Sequence, residues 1–253
     1  MERSSKSECC RHTGVFCANY PWLADQYGYM GKMTVMDELH NLIAQEEFDY
    51  LALREALRDY ARPRDKITDL LRAGTIVRVK KGLYIFGPKL SRAPYSRELL
   101  ANLIYGPSYV SLEYALSYYG IIPERTETVT SVTCGKNRTF TTPAGRFTYW
   151  AVPVAAYHTG IDLVDAGHNR AFLMASREKA LADYVCHDRG SALRKVGEFA
   201  SYLFESLRVD SADLAQLDPA RLTAIGAAYG SNKIRLLAEF IRQVRTPKKV
   251  IRE

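Results

Sequence analysis

Between Pro63 and Phe86 the chain carries its most restrictive pattern: a proline, an apolar stripe, a glycine, then two strand-like runs divided by Lys80, Lys81 and Gly82. Proline is tolerated in the first turn of a helix and not inside one, so Pro63 marks a helix start. Ile67, Leu70 and Leu71 fall on one helical face, and Gly74 is placed to end the helix in a left-handed conformation. Ile76, Val77 and Val79, then Leu83, Tyr84, Ile85 and Phe86, are β-branched, aromatic or otherwise apolar and predict a hairpin, with backbone freedom at its tip supplied by Gly82.

Two more helices are expected upstream. Met36, Leu39 and Ile43 recur at helical spacing between Met33 and Glu47, and Leu51, Leu53, Ala56 and Leu57 support a second, short helix after a break at Phe48 and Asp49. Three helices followed by a two-stranded wing is the order of a winged helix-turn-helix. The fold class expected is therefore α+β, with a winged helix-turn-helix domain over 33–88. An accessory arm, 1–32, precedes it and shows no sustained periodicity.

Pro88 to Pro94 holds two prolines and no apolar run, which predicts a linker to a second domain over 95–247. There Ser96 and Ser111 are placed to cap helices through Ile104 and Tyr119. Thr126 to Thr133 and Thr139 to Val154 are rich in Thr, Val, Tyr and Phe and predict sheet, with a turn at Pro143 to Gly145. Helical patterns return at Arg177 to Cys186, Leu193 to Leu207, Pro219 to Ala228 and Asn232 to Val244. This second domain is thus mixed α+β with a helical C-terminal half.

Charge is concentrated in the first domain. From Tyr50 to Lys89 ten cations face four acids, an excess of six within a chain whose formal net charge is +7. With the apolar stripe turned inward, Arg62, Arg64, Lys66 and Thr68 lie toward the N-terminal end of the third helix, the end that a recognition helix presents to base edges in the major groove. Arg78, Lys80 and Lys81 on the wing would reach flanking phosphates, which position a protein and bind in a salt-dependent way. Double-stranded DNA is the partner this constellation predicts.

Other chemistries find little purchase. No run approaches the ~18 consecutive apolar residues of a membrane span, and the first residues do not form a signal peptide, so a cytoplasmic location is expected. The five cysteines, Cys134 and Cys186 among them, show no spacing of a disulfide framework; Cys9, Cys10, His12 and Cys17 lack the spacing of a zinc ribbon or finger, so the cysteines of the arm read as free thiols. His158, Asp162, Asp165 and His168, flanked by Gly160 and Gly167, read as solvated loop residues rather than a metal site. Ser176 and Lys179 match an S-x-x-K spelling, yet Ser176 precedes an amphipathic helix and is expected to cap it. Tyr105, Tyr109, Tyr114, Tyr118 and Tyr119 sit at helical apolar positions and are expected in the core or at a domain interface. No phosphate-binding glycine signature occurs, and neither a cofactor nor a catalytic residue is expected.

Four stretches resemble the AbiEi-type antitoxins of type IV abortive-infection toxin-antitoxin systems: RAGTIVRVKKGLYIF (Arg72 to Phe86), YSRELLANLIYGPSYVSLEYALSYYGIIPERTETVTSVT (Tyr95 to Thr133), TPAGRFTYW (Thr142 to Trp150) and ASREKALADYV (Ala175 to Val185). The resemblance spans about residues 36 to 190 and weakens over the C-terminal helices. Ser176-Arg177 stands where the family usually has Thr-Pro, which keeps a capping hydroxyl and loses the proline. The resemblance implies a transcriptional regulator that binds repeated operator sites upstream of its own operon and counters a cognate nucleotidyltransferase-like toxin through its C-terminal domain. The rival expectation is an interaction protein that binds a toxin or another partner without specific DNA recognition. A nuclease using Asp162, Asp165 and Asp183 is a second, weaker rival.

Overall fold

The computed structural model describes residues 35–246; the expected arm over 1–32, with Cys9, Cys10, His12 and Cys17, lies outside the described residues. Two compact units, Met1–Leu42 and Ile43–Glu253, make up the chain. Of the first, the described part is one helix, α1 (Val35–Leu42), which stops five residues short of the Glu47 expected from its periodicity.

Those residues are used otherwise. Glu47–Asp49 form a strand, β1, and the Asp49 carboxylate then caps α2 (Tyr50–Ala56) by accepting from the Ala52 N–H at 2.8 Å. After α3 (Pro63–Arg72) come β2 (Ile76–Lys80) and β3 (Leu83–Phe86), and the three strands make an antiparallel sheet in the order β1-β3-β2. Ile67 and Leu70 of α3 are buried as their spacing requires, and Phe48 of β1 stacks on Tyr84 and packs on Phe86.

The rest of this unit is built on a six-stranded mixed sheet. Helices α4 (Arg97–Ile104) and α5 (Leu112–Tyr118) bracket β4 (Ser108–Val110), and β5 (Val129–Thr133), β6 (Arg138–Thr142) and β7 (Gly145–Ala151) follow. A short α6 (Val154–Tyr157) leads to a hairpin of β8 (Ile161–Gly167) and β9 (Arg170–Ala175). The strand order is β6-β7-β5-β4-β9-β8, with β4–β9 and β5–β7 parallel. The hairpin corrects the expectation of a solvated loop around His158 to His168. Only His168 and Asn169 form its turn, both at positive φ.

Helices complete the described residues: α7 (Arg177–His187), α8 (Glu198–Ala200) running into a π-helical turn (Ser201–Ser206), α9 (Ser211–Gln216), α10 (Pro219–Tyr229) and α11 (Asn232–Arg245). The architecture is mixed α+β with a helical C-terminal half. One apolar core runs from Leu100 on α4 through Tyr109, Phe147 and Leu181 to Ile241 on α11, and Val79, Leu83 and Ile85 of the three-stranded sheet join it.

The expected linker is tied down. The Glu46 carboxylate accepts from the Arg92 and Ala93 N–H groups at 2.9 and 3.1 Å, and Glu47 accepts from Ser96 N–H. Glu47 also receives both contacts of the Arg170 guanidinium, at 2.9 and 3.0 Å, and both side chains are almost wholly out of water. A buried ion pair thus joins β1 to the turn of the β8–β9 hairpin.

Candidate nucleic-acid interface

Helix α3 begins at Pro63 with Arg62 as its N-cap, and no side chain bonds the first amides. Its buried face is Ile67 and Leu70, so Arg62, Arg64 and Thr68 are exposed and Lys66 is half-buried. Arg62 lies 3.9 Å from Asp65 with both side chains in water, a contact worth little. Lys66 sits over the Tyr60 ring at 5.3 Å, and the Thr68 hydroxyl donates to the Arg64 carbonyl at 3.1 Å. That bond puts Arg64 and Thr68 one turn apart on a common face. The Arg64 guanidinium has no partner among the described residues.

The hairpin tip is positioned from two sides. Gly82 takes φ +85°, a left-handed value that favours glycine, and its carbonyl accepts from the Tyr50 N–H at the start of α2 at 2.9 Å. A register shift between Arg78 and Lys80 lets the strand twist there. The three wing cations then diverge. Arg78 and Lys81 are exposed and lack a partner among the described residues, whereas the Lys80 ammonium donates to the Ile104 carbonyl at 2.6 Å and lies 5.4 Å from the Phe140 ring. The Lys80 ammonium thus ties the wing to α4 and β6, and a phosphate reaching it would compete with that carbonyl.

The exposed, uncommitted set is therefore Arg64, Arg78 and Lys81, with Arg62 held only by a solvent-screened contact. Such cations can bind polyanion backbone without first breaking a protein contact.

Sequence reasoning missed a different polar centre. The Asp183 carboxylate, buried on α7, accepts from Tyr109 at 3.0 Å, from Ser111 at 2.7 Å, from the Tyr229 hydroxyl, and from Lys179 at 3.2 Å. Lys179 also donates to the Ala156 carbonyl at 2.7 Å and faces the Tyr229 ring at 4.3 Å. Burial lowers the Lys179 pKa while Asp183 acts to hold it up; burial and then the Asp183 charge push the Tyr109 and Tyr229 hydroxyls far upward. Ser111, expected to cap α5, gives its hydroxyl to this centre and makes no cap bond. Ser176 does cap α7, accepting from the Lys179 N–H at 3.3 Å, so the S-x-x-K spelling is a helix start. A cavity of about 190 Å³ lies beside the centre, lined by Trp150, His187, Cys186 and Tyr229 among others. With four donors already on it, Asp183 has no acceptor capacity left for a ligand. The signal for the pair was present: Lys179 and Asp183 are four residues apart inside an otherwise apolar run.

The acids of the nuclease rival are used separately. Asp162 contacts Arg221 at 3.4 Å, Asp165 accepts from the Gly167 N–H at 2.8 Å, and Asp183 is enclosed as above. Among the described residues no three His, Cys, Asp or Glu side chains are grouped as a metal site, and no helix is long and apolar enough to cross a membrane. Neither a family model nor a curated protein matches the chain.

Proposed function

We propose that this chain is a sequence-specific DNA-binding antitoxin of the AbiEi type, a cytoplasmic protein that represses its own toxin-antitoxin operon and counters a nucleotidyltransferase-like toxin. The observation that carries the DNA reading is the set of exposed, uncommitted cations Arg64, Arg78 and Lys81 on α3 and the β2–β3 hairpin. The element order α1, β1, α2, α3, β2, β3 along the chain supports a winged helix-turn-helix. In this reading Arg62, Arg64, Lys66 and Thr68 meet base edges, and Arg78 and Lys81 grip flanking phosphates, with Lys80 chiefly holding the wing in place. The antitoxin role rests on the resemblance over residues 36 to 190.

The test is a salt-titrated binding assay on the DNA upstream of the protein's own gene against a scrambled duplex of equal length. Selective binding is expected, and Lys81→Ala should reduce the slope of log affinity against log salt by about 0.9, one lost phosphate contact. Equal, weak binding to both duplexes overturns the regulator reading. Co-expression with the neighbouring toxin gene, scored by growth, tests the antitoxin role separately.

A further inference from the structure

We infer that strand β8 is a self-complementary dimer seam, pairing antiparallel across a two-fold axis with β8 of a second copy of this chain. The inference is independent of the DNA reading. Among the described residues β8 is an edge strand of the six-stranded sheet, with β9 as its one neighbour.

The direction of its backbone groups follows from the bonds of its neighbour. The Leu173 N–H and C=O of β9 are taken by the Asn102 side chain at 2.6 and 3.3 Å, and the same Asn102 amide reaches Ser108 of β4. Those groups therefore face β4, and Leu173 and its register partner Leu163 form a pair that exchanges no hydrogen bonds. Gly160 agrees, since its carbonyl accepts from the Ser176 N–H at 2.8 Å on the β9 side. Even-numbered residues of β8 bond inward. The N–H and C=O groups of Ile161, Leu163 and Asp165 thus point to the open edge, and none has a partner among the described residues.

On its odd-numbered face the edge presents Ile161 and Leu163 ahead of Asp165, so the carboxylate stands to one side of the apolar pair. Leu163 is 72% exposed and Leu173 beside it 38%. A long edge strand with an exposed leucine at its middle favours pairing with another strand.

Charge and direction select both the occupant and the register. Centring the axis on Leu163 makes it a hydrogen-bonded pair with its counterpart and sets Ile161 against Asp165 twice, for about six backbone bonds. Leu173 and Leu163 of both copies then line up as a row of leucines across the seam. Asp162 falls opposite Val164, so no two carboxylates face each other. A centre at Asp165 would oppose two carboxylates directly, one at Val164 would set each Leu163 against an Asp165 and break the row of leucines, and one at Ile161 leaves little overlap.

The test uses the full chain. Sedimentation velocity from about 1 to 100 μM should show a concentration-dependent dimer, the range a small strand seam is expected to span. Leu163→Asp should remain monomeric throughout with an unchanged far-ultraviolet spectrum, because Leu163 makes no core contact to lose. Leu51→Asp, at a 62% exposed leucine on α2, should dimerise as the parent does. Amide exchange at Ile161, Leu163 and Asp165 should slow as the dimer forms. A parent that stays monomeric overturns the inference, as does a dimer that survives Leu163→Asp or leaves those three amides unprotected.

Discussion

Replacing Arg170 by Met should be among the most damaging changes outside the apolar core. Its guanidinium places two contacts on Glu47 at 2.9 and 3.0 Å and further donates to the Pro94 and Gly167 carbonyls at 3.3 Å. Side-chain exposure is 4% for Arg170 and 0% for Glu47, so the variant strands a carboxylate away from water with the Ser96 N–H as its remaining donor. Removing one partner of a buried pair costs about 3–5 kcal/mol. Glu47→Leu should fall in the same range, because it orphans the cation instead. The double variant Glu47→Leu with Arg170→Met removes both charges and leaves chiefly the part-buried Pro94 and Gly167 carbonyls and Ser96 N–H to be satisfied, so its loss should be well below the sum of the two single losses. Urea denaturation of the four proteins closes the cycle. Single-variant losses below about 1 kcal/mol, the size of a surface pair, or losses that simply add in the double variant, would refute the claim that this contact acts as a buried joint.

Asp183→Ala should destabilise more than Lys179→Met, since the first strands a buried ammonium and three hydroxyls whereas the second leaves Asp183 its three hydroxyl donors; the reverse order in urea melts sinks the reading of Asp183 as the hub. Burial pushes Tyr119 up to about 12 and Tyr109 and Tyr229 further, so the unfolded chain releases these protons near pH 10 while the folded one keeps them. Their contribution is complete below pH 10 and is lost as pH rises through the folded values; Lys179, shifted downward, acts oppositely just below its ordinary value, and stability should fall steeply above pH 10. Tyrosinate absorbance reaching the full amplitude of all 17 tyrosines near pH 10 without unfolding would contradict this. Gly87→Ala should cost at least about 2 kcal/mol, because a Cβ there meets the Gly74 carbonyl, a backbone atom that cannot rotate away; Gly74→Ala, with open space around it, should cost about 1 kcal/mol for its positive φ, and equal melting temperatures for the two would count against that close backbone approach.

Elements with a local signature were legible. Pro63, the Ile67 and Leu70 stripe and Gly74 locate α3, capping serines with periodic apolar residues locate α4 and α7, and periodicity alone locates α11, each to within a residue or two. Elements whose reason lies elsewhere in the chain were not. β1 and β4 are three residues long and exist through pairing with β3, β5 and β9. The β8–β9 hairpin hid behind glycines and aspartates because its odd-numbered face is exposed. The helix expected from Leu193 to Leu207 forms only from Glu198 onward. Before it, Asp188 accepts from the Gly190 and Ser191 amides and Glu198 from those of Arg194 and Lys195, local bonds that compete with helix. For the candidate interface, exposure of Arg62, Arg64, Thr68, Arg78 and Lys81 follows from periodicity alone. The capture of Lys80 by a carbonyl 24 residues away does not.

Lys80 bears on how the parts communicate. The wing is held by the Tyr50 amide on one side and by the Ile104 carbonyl on the other, and Ile104 ends the helix whose Asn102 locks Leu173 of β9. From Lys80 to Leu173 the connection is one hydrogen bond, three residues of α4 and the two hydrogen bonds of Asn102. On the same hairpin, Arg170 is bonded to β1. The three-stranded sheet is thus fastened to the β8–β9 hairpin at two separate places, one through each of its outer strands. A joint made of directional polar bonds fixes orientation more tightly than an apolar contact of equal area, because sliding by even one residue strands charges out of water. If β8 is a dimer seam and α3 with the wing an anion-binding face, the spacing between two such faces in a dimer is set by these bonds.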